Sequence, residues 1–387
     1  MLDFDFYNPT RIFFGKDKLG YLDSFIPASA RVLITYGGGS VVRSGLLDKV
    51  KSALGGRKVV EFGGIEPNPH FETIVRAAAV VKKEQIDFLL AVGGGSVIDG
   101  TKFLALAGAY AGDPDDLMNF GFRPITPDIV RALPIGTILT LPASGSEMNN
   151  GCVITYKGTK RGIFCDMQFP AFSILDPTVT FTLPANQVAN GIVDTFSHAL
   201  EQYLTFPVDG RLQDRFSEGI LQTLVEIGPA SVGEPENYEV RANQVWCAAL
   251  AFNGLIGAGV PSDWASHMIG HELTTLFHID HGQTLAVVLP ALMEVRRNQK
   301  RAKLLQYAGR VWGIDRGGDE DRISLAIQKT REFFESLGVK THLSDYGVRA
   351  DQIHAVADSL TAQGMTALSE THDLTPDIVT QILEKAM

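Results

Sequence analysis

Twice in its first third the chain runs a short apolar stretch straight into Gly-Gly-Gly-Ser and then into helical periodicity. The two segments are RVLITYGGGSVVRSGLLDKV at 31–50 and DFLLAVGGGSVIDGTKFLALAG at 87–108. A run such as Val32-Leu33-Ile34 suits a short strand buried in a sheet. Strands that alternate with helices predict a parallel sheet, and such sheets bind ligands at the carboxyl ends of their strands. Lys58–Phe62 reads as another strand, and TILTLPASGSEMNNGCVITY from Thr137 as strand, small-residue loop, strand. In IEPNPHFETIVRAAAVVKKEQ, Asn68 is placed to cap a helix and Pro69 to be its first residue. Residues 113–136, rich in Pro, Asp and Gly, read as a loop, and Lys160 falls in a GTKRG turn.

The glycines carry a chemical implication. A backbone without Cβ atoms can approach a phosphate closely, and a helix start offers unpaired N–H groups and a positive dipole end. Gly94, Gly95 and Ser96 fit that role, and Ser40 is placed to cap the helix after the first turn. Neither turn completes GxGxxG, because Val42 and Ile98 stand at the third glycine position. A pair of such turns, each directly after a strand, favours a nucleotide over a plain tight turn.

From Pro184 onward only helical periodicity is legible, over 184–204, 210–228, 235–258, 262–277, 284–312, 319–337, 350–363 and 375–386. With 387 residues the chain exceeds one ordinary core. The reading is therefore two domains, an α/β dinucleotide-binding domain at 1–180 and a helical metal-binding domain at 181–387.

Two stretches of the helical half point to a metal. VANGIVDTFSHALEQY, 188–203, puts Asp194 and His198 one helical turn apart on an apolar face. VPSDWASHMIGHELTTLFHIDHG, 260–282, holds four of the nine histidines, His267, His271, His278 and His281. Imidazoles with one carboxylate suit Zn(II) or Fe(II), and a buried carboxylate needs a partner. Spacing alone does not say which histidines ligate. The expected site is a cleft between nucleotide and metal halves.

A formal net charge of −10 argues against nucleic acid or anionic membrane as partner. No stretch has the apolar length of a membrane span. The start, MLDFDFYNPTRIFFG, lacks the features of a signal peptide, and three scattered cysteines suggest reduced thiols in a cytoplasmic protein.

The motifs NPTRIFFG, GGGSVV, PNP at 67–69, GGGSVID, TLPASGSE, LDP, NGIVDTFSHALEQY, GVPSDWASHMIGHEL and HIDHGQTLAVVLP together resemble the iron-containing (group III) alcohol dehydrogenases. The branch is that of NADPH-dependent butanol dehydrogenases and aldehyde reductases, and the likeness runs end to end. It implies a dehydroquinate synthase-like fold, an α/β dinucleotide-binding N-terminal domain plus an all-α C-terminal domain, and a homodimer. It implies Asp194, His198, His267 and His281 as metal ligands, with His271 beside the metal as candidate proton relay or substrate-orienting group and His278 a nearby cleft or core residue. The matching NADP(H) positions are Gly38, Gly39, Ser40, Asn68, Gly94, Gly95, Ser96, Thr140, Leu141, Ser144, Asn149 and Lys160.

The implied reaction is reversible hydride transfer between NADPH and a small aldehyde or primary alcohol, reduction favoured, with one divalent metal, Fe(II) or Zn(II). Rival readings are a lyase or polyol-phosphate dehydrogenase of the same fold, or a metal-dependent hydrolase. The first two bind phosphate or carboxylate groups, yet neither metal stretch contains Lys or Arg.

Overall fold

A computed structural model describes residues 1–118, 125–126 and 130–387. Its contacts divide the chain into a unit Tyr7–Leu183 and a unit Pro184–Met387 that also takes Met1–Phe6. The first six residues thus go with the helices instead of the sheet, and Leu2 N donates to Gly259 O at 2.9 Å.

The first unit contains strands β1 Arg11–Phe14, β2 Arg31–Tyr36, β3 Lys58–Phe62, β4 Phe88–Gly93, β5 Ile135–Leu139, β6 Gly151–Tyr156, β7 Thr159–Phe164 and β8 Phe172–Leu175. Its helices are α1 Tyr21–Phe25, α2 Ser40–Arg43, α3 Leu46–Ala53, α4 Phe71–Glu84, α5 Gly95–Ala109 and α6 Pro114–Met118. Six strands form one parallel sheet in the order β1-β8-β5-β4-β2-β3. The apolar runs read from the sequence are its centre: Leu33, Ile34, Leu89 and Leu90 are fully buried. On one face Ile34, Leu90, Val92 and Ile174 pack with Leu22 of α1 and Leu47 and Val50 of α3. On the other, α4 and α5 meet where Gly100 admits Ile74 and Gly108 admits Val81.

Several local expectations are corrected. Ser40 does not cap the first helix; Gly39, at φ 92°, holds that position, and the helix breaks at Gly45 into α2 and α3. Asn68 does not cap α4 and Pro69 is not its first residue. Thr155 of β6 binds the carbonyls of both, through its hydroxyl to Asn68 and its amide to Pro69, so the chain stays out of the helix until His70 caps it. Lys160 lies in β7, not in a turn; the hairpin turns at Lys157 and Gly158, both with positive φ, as the twist of paired strands requires. The loop expected at 113–136 includes α6, with residues 119–124 and 127–129 outside the described residues. The short strands β1 and β8 carried too few residues to announce themselves.

The second unit is helical: α7 Ala185–Tyr203, α8 Arg211–Gly233, α9 Tyr238–Ala251, α10 Ala265–Phe277, α11 His281–Val295, α12 Arg301–Trp312, α13 Asp319–Ser336, α14 His354–Ala362 and α15 Pro376–Lys385. The continuous helix read over 284–312 is two, α11 and α12. At their junction the Lys300 ammonium is buried against Asp263 (2.7 Å), Glu370 (3.0 Å) and the Leu204 carbonyl (2.6 Å). Ile269, Leu273, Val288, Leu292, Val356 and Ile382 form the core that packs α10, α11, α14 and α15 together. No helix among the described residues is long and apolar enough to cross a membrane.

Candidate active site

In the sheet, β5, β4 and β2 are neighbours, and the chain leaves β2 in one direction toward β3 and β4 in the other toward β5. The reversal falls between β2 and β4, where open parallel sheets bind their ligands. Gly37–Gly39 follow β2 on one side of that point, Gly94 and Gly95 follow β4 on the other, and 140–145 follow β5.

The glycines are required by close approach. A Cβ at Gly94 would sit 2.9 Å from the Leu141 Cβ, and one at Gly95 would collide with the Ser144 hydroxyl. The loop after β5 therefore lies against the start of α5, held there by Thr140 N donating to Gly93 O at 3.0 Å. The first intrahelical donors of α5 are Val97 and Ile98, which bond Gly94 O, so the Gly95 and Ser96 amides precede the ladder. Ser96 Oγ accepts from Asn68 N (3.3 Å), and Lys160 stands opposite Thr155 in the β6–β7 ladder. Gly94, Gly95, Ser96, Leu141, Ser144 and Asn68 are thus brought together.

At the next strand end Gly38, Gly39 and Ser40 form the other turn, and Arg43 Nη1 folds back to Gly38 O at 3.4 Å. Asn149 is committed inside the fold. Its side-chain oxygen accepts from Lys102 Nζ and Gly151 N, and its amide donates to Gly145 O. Lys102, absent from the sequence reading, is fully buried and donates also to the Asn149 and Gly151 carbonyls; burial pushes it down to about 8.

The helical unit builds the second constellation. α7 is buried from Ile192 through Tyr203 and carries Asp194 (6% exposed) and His198 (4%). α10 carries His267 (6%) and His271, and His281 is the first residue of α11. Asp263 fixes the start of α10, accepting from Ala265 N and donating its own N–H to Glu201 O. Gly282 lets α11 meet α7: a Cβ there would lie 2.5 Å from the Asn190 carbonyl oxygen.

Around Asp194 Oδ1 stand His198 Nδ1 at 3.4 Å, His267 Nε2 at 3.6 Å and His281 Nε2 at 3.8 Å. Two ligands about 2.1 Å from a tetrahedral ion lie about 3.4 Å apart, so the spacing is that of a ligand shell. Asp194 Oδ1, His198 Nδ1 and His267 Nε2 are buried without a hydrogen-bond partner, which is costly unless something else satisfies them. Asp194, His267 and His281 form a mutually close ligand group, to which His198 attaches through its approach to Asp194. The chemistry of these donors fits a borderline divalent cation such as Zn(II) or Fe(II).

His271 lies beside the group, its ring 5.0 Å from that of His281 and 6.4 Å from that of His267. His278, expected in cleft or core, is instead the exposed residue capping the C-terminus of α10 at φ 56°. Phe252 stacks on His198 at 4.8 Å, and Trp264, at φ 59°, packs edge-on to His267 at 5.6 Å.

The charges of this group act on one another. Burial opposes ionisation of Asp194, but the surrounding imidazoles hold its carboxyl below the usual carboxylate range. Burial, reinforced by His267, pushes His198 down to about 4. Burial also works against protonation of His267, yet the Glu201 carboxylate overcomes it and lifts that imidazole to about 9. Glu201 was missed from sequence, although it follows Asp194 by seven residues and His198 by three on the same helical face.

A nucleotide-type strand crossing and a buried imidazole–carboxylate shell in one chain define a class, the metal-assisted dehydrogenases that draw on a dinucleotide. The chain belongs to the iron-containing alcohol dehydrogenase family. The model for iron-containing alcohol dehydrogenase matches residues 9–177, and that for the C-terminal part of the Fe-containing alcohol dehydrogenase family matches 188–387. The NADPH-dependent aldehyde reductase YqhD of Escherichia coli is 55% identical over 390 residues, covering 100% of both chains. The crystal structure of E. coli K-12 YqhD superposes with a TM-score of 0.97 at 54% identity, covering 100% of this chain and 99% of that one. The NADH-dependent butanol dehydrogenase A of Thermotoga maritima superposes at 0.93 with 33% identity, covering 100% and 99%. The resemblance read from the motifs is borne out, as is the expected order of a parallel-sheet unit followed by a helical one.

Proposed function

We propose that the protein reduces small aldehydes to primary alcohols with NADPH, reversibly, at a divalent metal held by Asp194, His198, His267 and His281. The observation that carries this reading is the convergence of buried, unpartnered ligand atoms around Asp194 Oδ1. The E. coli aldehyde reductase, similar over its full length, supports both the substrate class and the cofactor.

When bound, the metal supplies a Lewis acid for a carbonyl oxygen and NADPH supplies the hydride. The chain's own part is binding and positioning. The Gly94, Gly95 and Ser96 amides at the start of α5 take the pyrophosphate. Gly38, Gly39 and Ser40 receive the adenosine end, in a turn that itself contains no acidic residue and over which Arg43 stands. Asn68, Thr140, Leu141, Ser144 and Lys160 border the rest, while Asn149, pinned by Lys102, shapes the loop. Phe252 and Trp264 screen His198 and His267 from water. His271 orients the substrate or passes the alcohol proton. The working assembly is a homodimer, as the resemblance implies, testable by sedimentation. Three buried free cysteines support a cytoplasmic location.

The test is NADPH oxidation against an aldehyde panel, before and after stripping metal and adding back Fe(II) or Zn(II). Loss on stripping and recovery on addition is expected; an undiminished rate in metal-free protein overturns the proposal.

A further inference from the structure

We propose that Glu201 is a positioning residue that aims the His267 imidazole at the metal, an inference that rests on the ligand set just proposed. Glu201 is 3% exposed and grips the same residue twice. One oxygen, Oε1, accepts from the His267 backbone amide at 3.2 Å, and the other, Oε2, meets the His267 Nδ1. The first bond fixes the position of the residue on α10 and the second fixes its ring. A proton held on Nδ1 leaves the lone pair on Nε2, the atom that faces Asp194 Oδ1 at 3.6 Å. A histidine that ligates through one nitrogen is held by a partner on the other, and a carboxylate in that place also raises its basicity.

The register of α7 makes this possible. Asp194, His198 and Glu201 are at i, i+4 and i+7, so one helical face delivers two ligands and the clamp for a third that comes from another helix. The carbonyl of Glu201 also accepts from Asp263 N just before α10 begins. Its side chain and main chain therefore both anchor the segment that bears His267.

Competition for Co(II) between the metal-free protein and a chromophoric chelator tests the assignment without reference to turnover. Glu201→Gln keeps the shape and one acceptor but removes the charge, and Co(II) affinity should fall about 10- to 100-fold. The metal-free variant should still melt cooperatively, with its midpoint lowered by the loss of one buried ion pair, so that lost affinity is separated from lost fold. Glu201→Asp, shorter by one methylene, cannot reach both groups and should lose affinity too, which keeps the test available if Glu201→Gln does not fold. In a His267→Ala background Glu201→Gln should cause no further loss, because it acts only through that ring. Unchanged Co(II) affinity in both Glu201 variants, or a full additional loss without His267, overturns the positioning role. If His267→Ala and His281→Ala bind Co(II) as tightly as the unmodified protein, the underlying ligand set falls, and with it this inference.

Discussion

Gly39→Asp should turn this protein from NADPH toward NADH. Gly39 closes the first glycine turn at φ 92°, and a Cβ added there would lie 3.5 Å from Arg43 Nη1. The substitution has two separable effects. A side chain in left-handed backbone costs about 1–2 kcal/mol, which falls on stability whatever the cofactor. The carboxylate, in turn, competes for Arg43 and repels a 2′-phosphate. Two like charges about 5 Å apart at an effective dielectric near 20 repel by about 3 kcal/mol. At about 1.4 kcal/mol per tenfold, kcat/KM with NADPH should drop by about two orders of magnitude. With NADH, whose ribose hydroxyl can donate to the new carboxylate, efficiency should hold or rise. Gly39→Asn is the control, because it carries the same strain without the charge. Its thermal midpoint should fall with that of Gly39→Asp while it retains most NADPH efficiency. Steady-state kinetics with both cofactors decide the matter. An unmodified protein that uses NADH at least as well as NADPH refutes the reasoning, as does an asparagine variant that loses NADPH as completely as the aspartate.

Three further outcomes are expected. His267→Ala and His281→Ala should empty the metal site and abolish aldehyde reduction while NADPH fluorescence titration survives, whereas His271→Ala should keep its metal; elemental analysis showing the reverse pattern sinks the assignment. Alcohol oxidation releases a proton, so its rate should climb from neutral to moderately alkaline pH, and a steady fall over that range would contradict hydride transfer as drawn. Burial pushes the Glu147 carboxyl, whose Oε1 has no hydrogen-bond partner, up to about 7 from an ordinary 4.5. Between those values the folded protein keeps a proton that the unfolded chain releases, so stability should fall as pH rises through that window, by up to about 3 kcal/mol. Glu147→Gln should flatten the fall in thermal midpoint, and an equal slope in the variant would show that Glu147 ionises normally.

What the chain states locally, it states clearly. Runs such as Val32-Leu33-Ile34 read as buried strands, and Gly-Gly-Gly-Ser after each marked two turns at strand ends. Asp194 and His198 announced a shared face because helical spacing is a property of the backbone alone. Caps and hairpin turns were legible only as options. Whether Asn68 caps a helix depended on Thr155, 87 residues away, which binds its carbonyl instead. Whether Lys160 sat in a turn or a strand depended on which pair of residues took positive φ.

The metal site shows the same limit more sharply. Four histidines in one stretch carried no order of rank. It is the packing of α10 and α11 on α7 that brings His267 and His281 to Asp194, while His278, at the end of α10, is left exposed. The core of Ile269, Val288 and Leu292 packs α10 on α11, and Gly282 against the Asn190 carbonyl brings α11 onto α7. Glu201 was in plain view on the same face as Asp194 and His198, yet a carboxylate on a helix has many uses. Only the packing of α7 against α10, which buries it beside His267, gives it one. Spacing along one helix is local geometry and can be read from the chain; convergence of three helices on one oxygen is a product of packing and cannot.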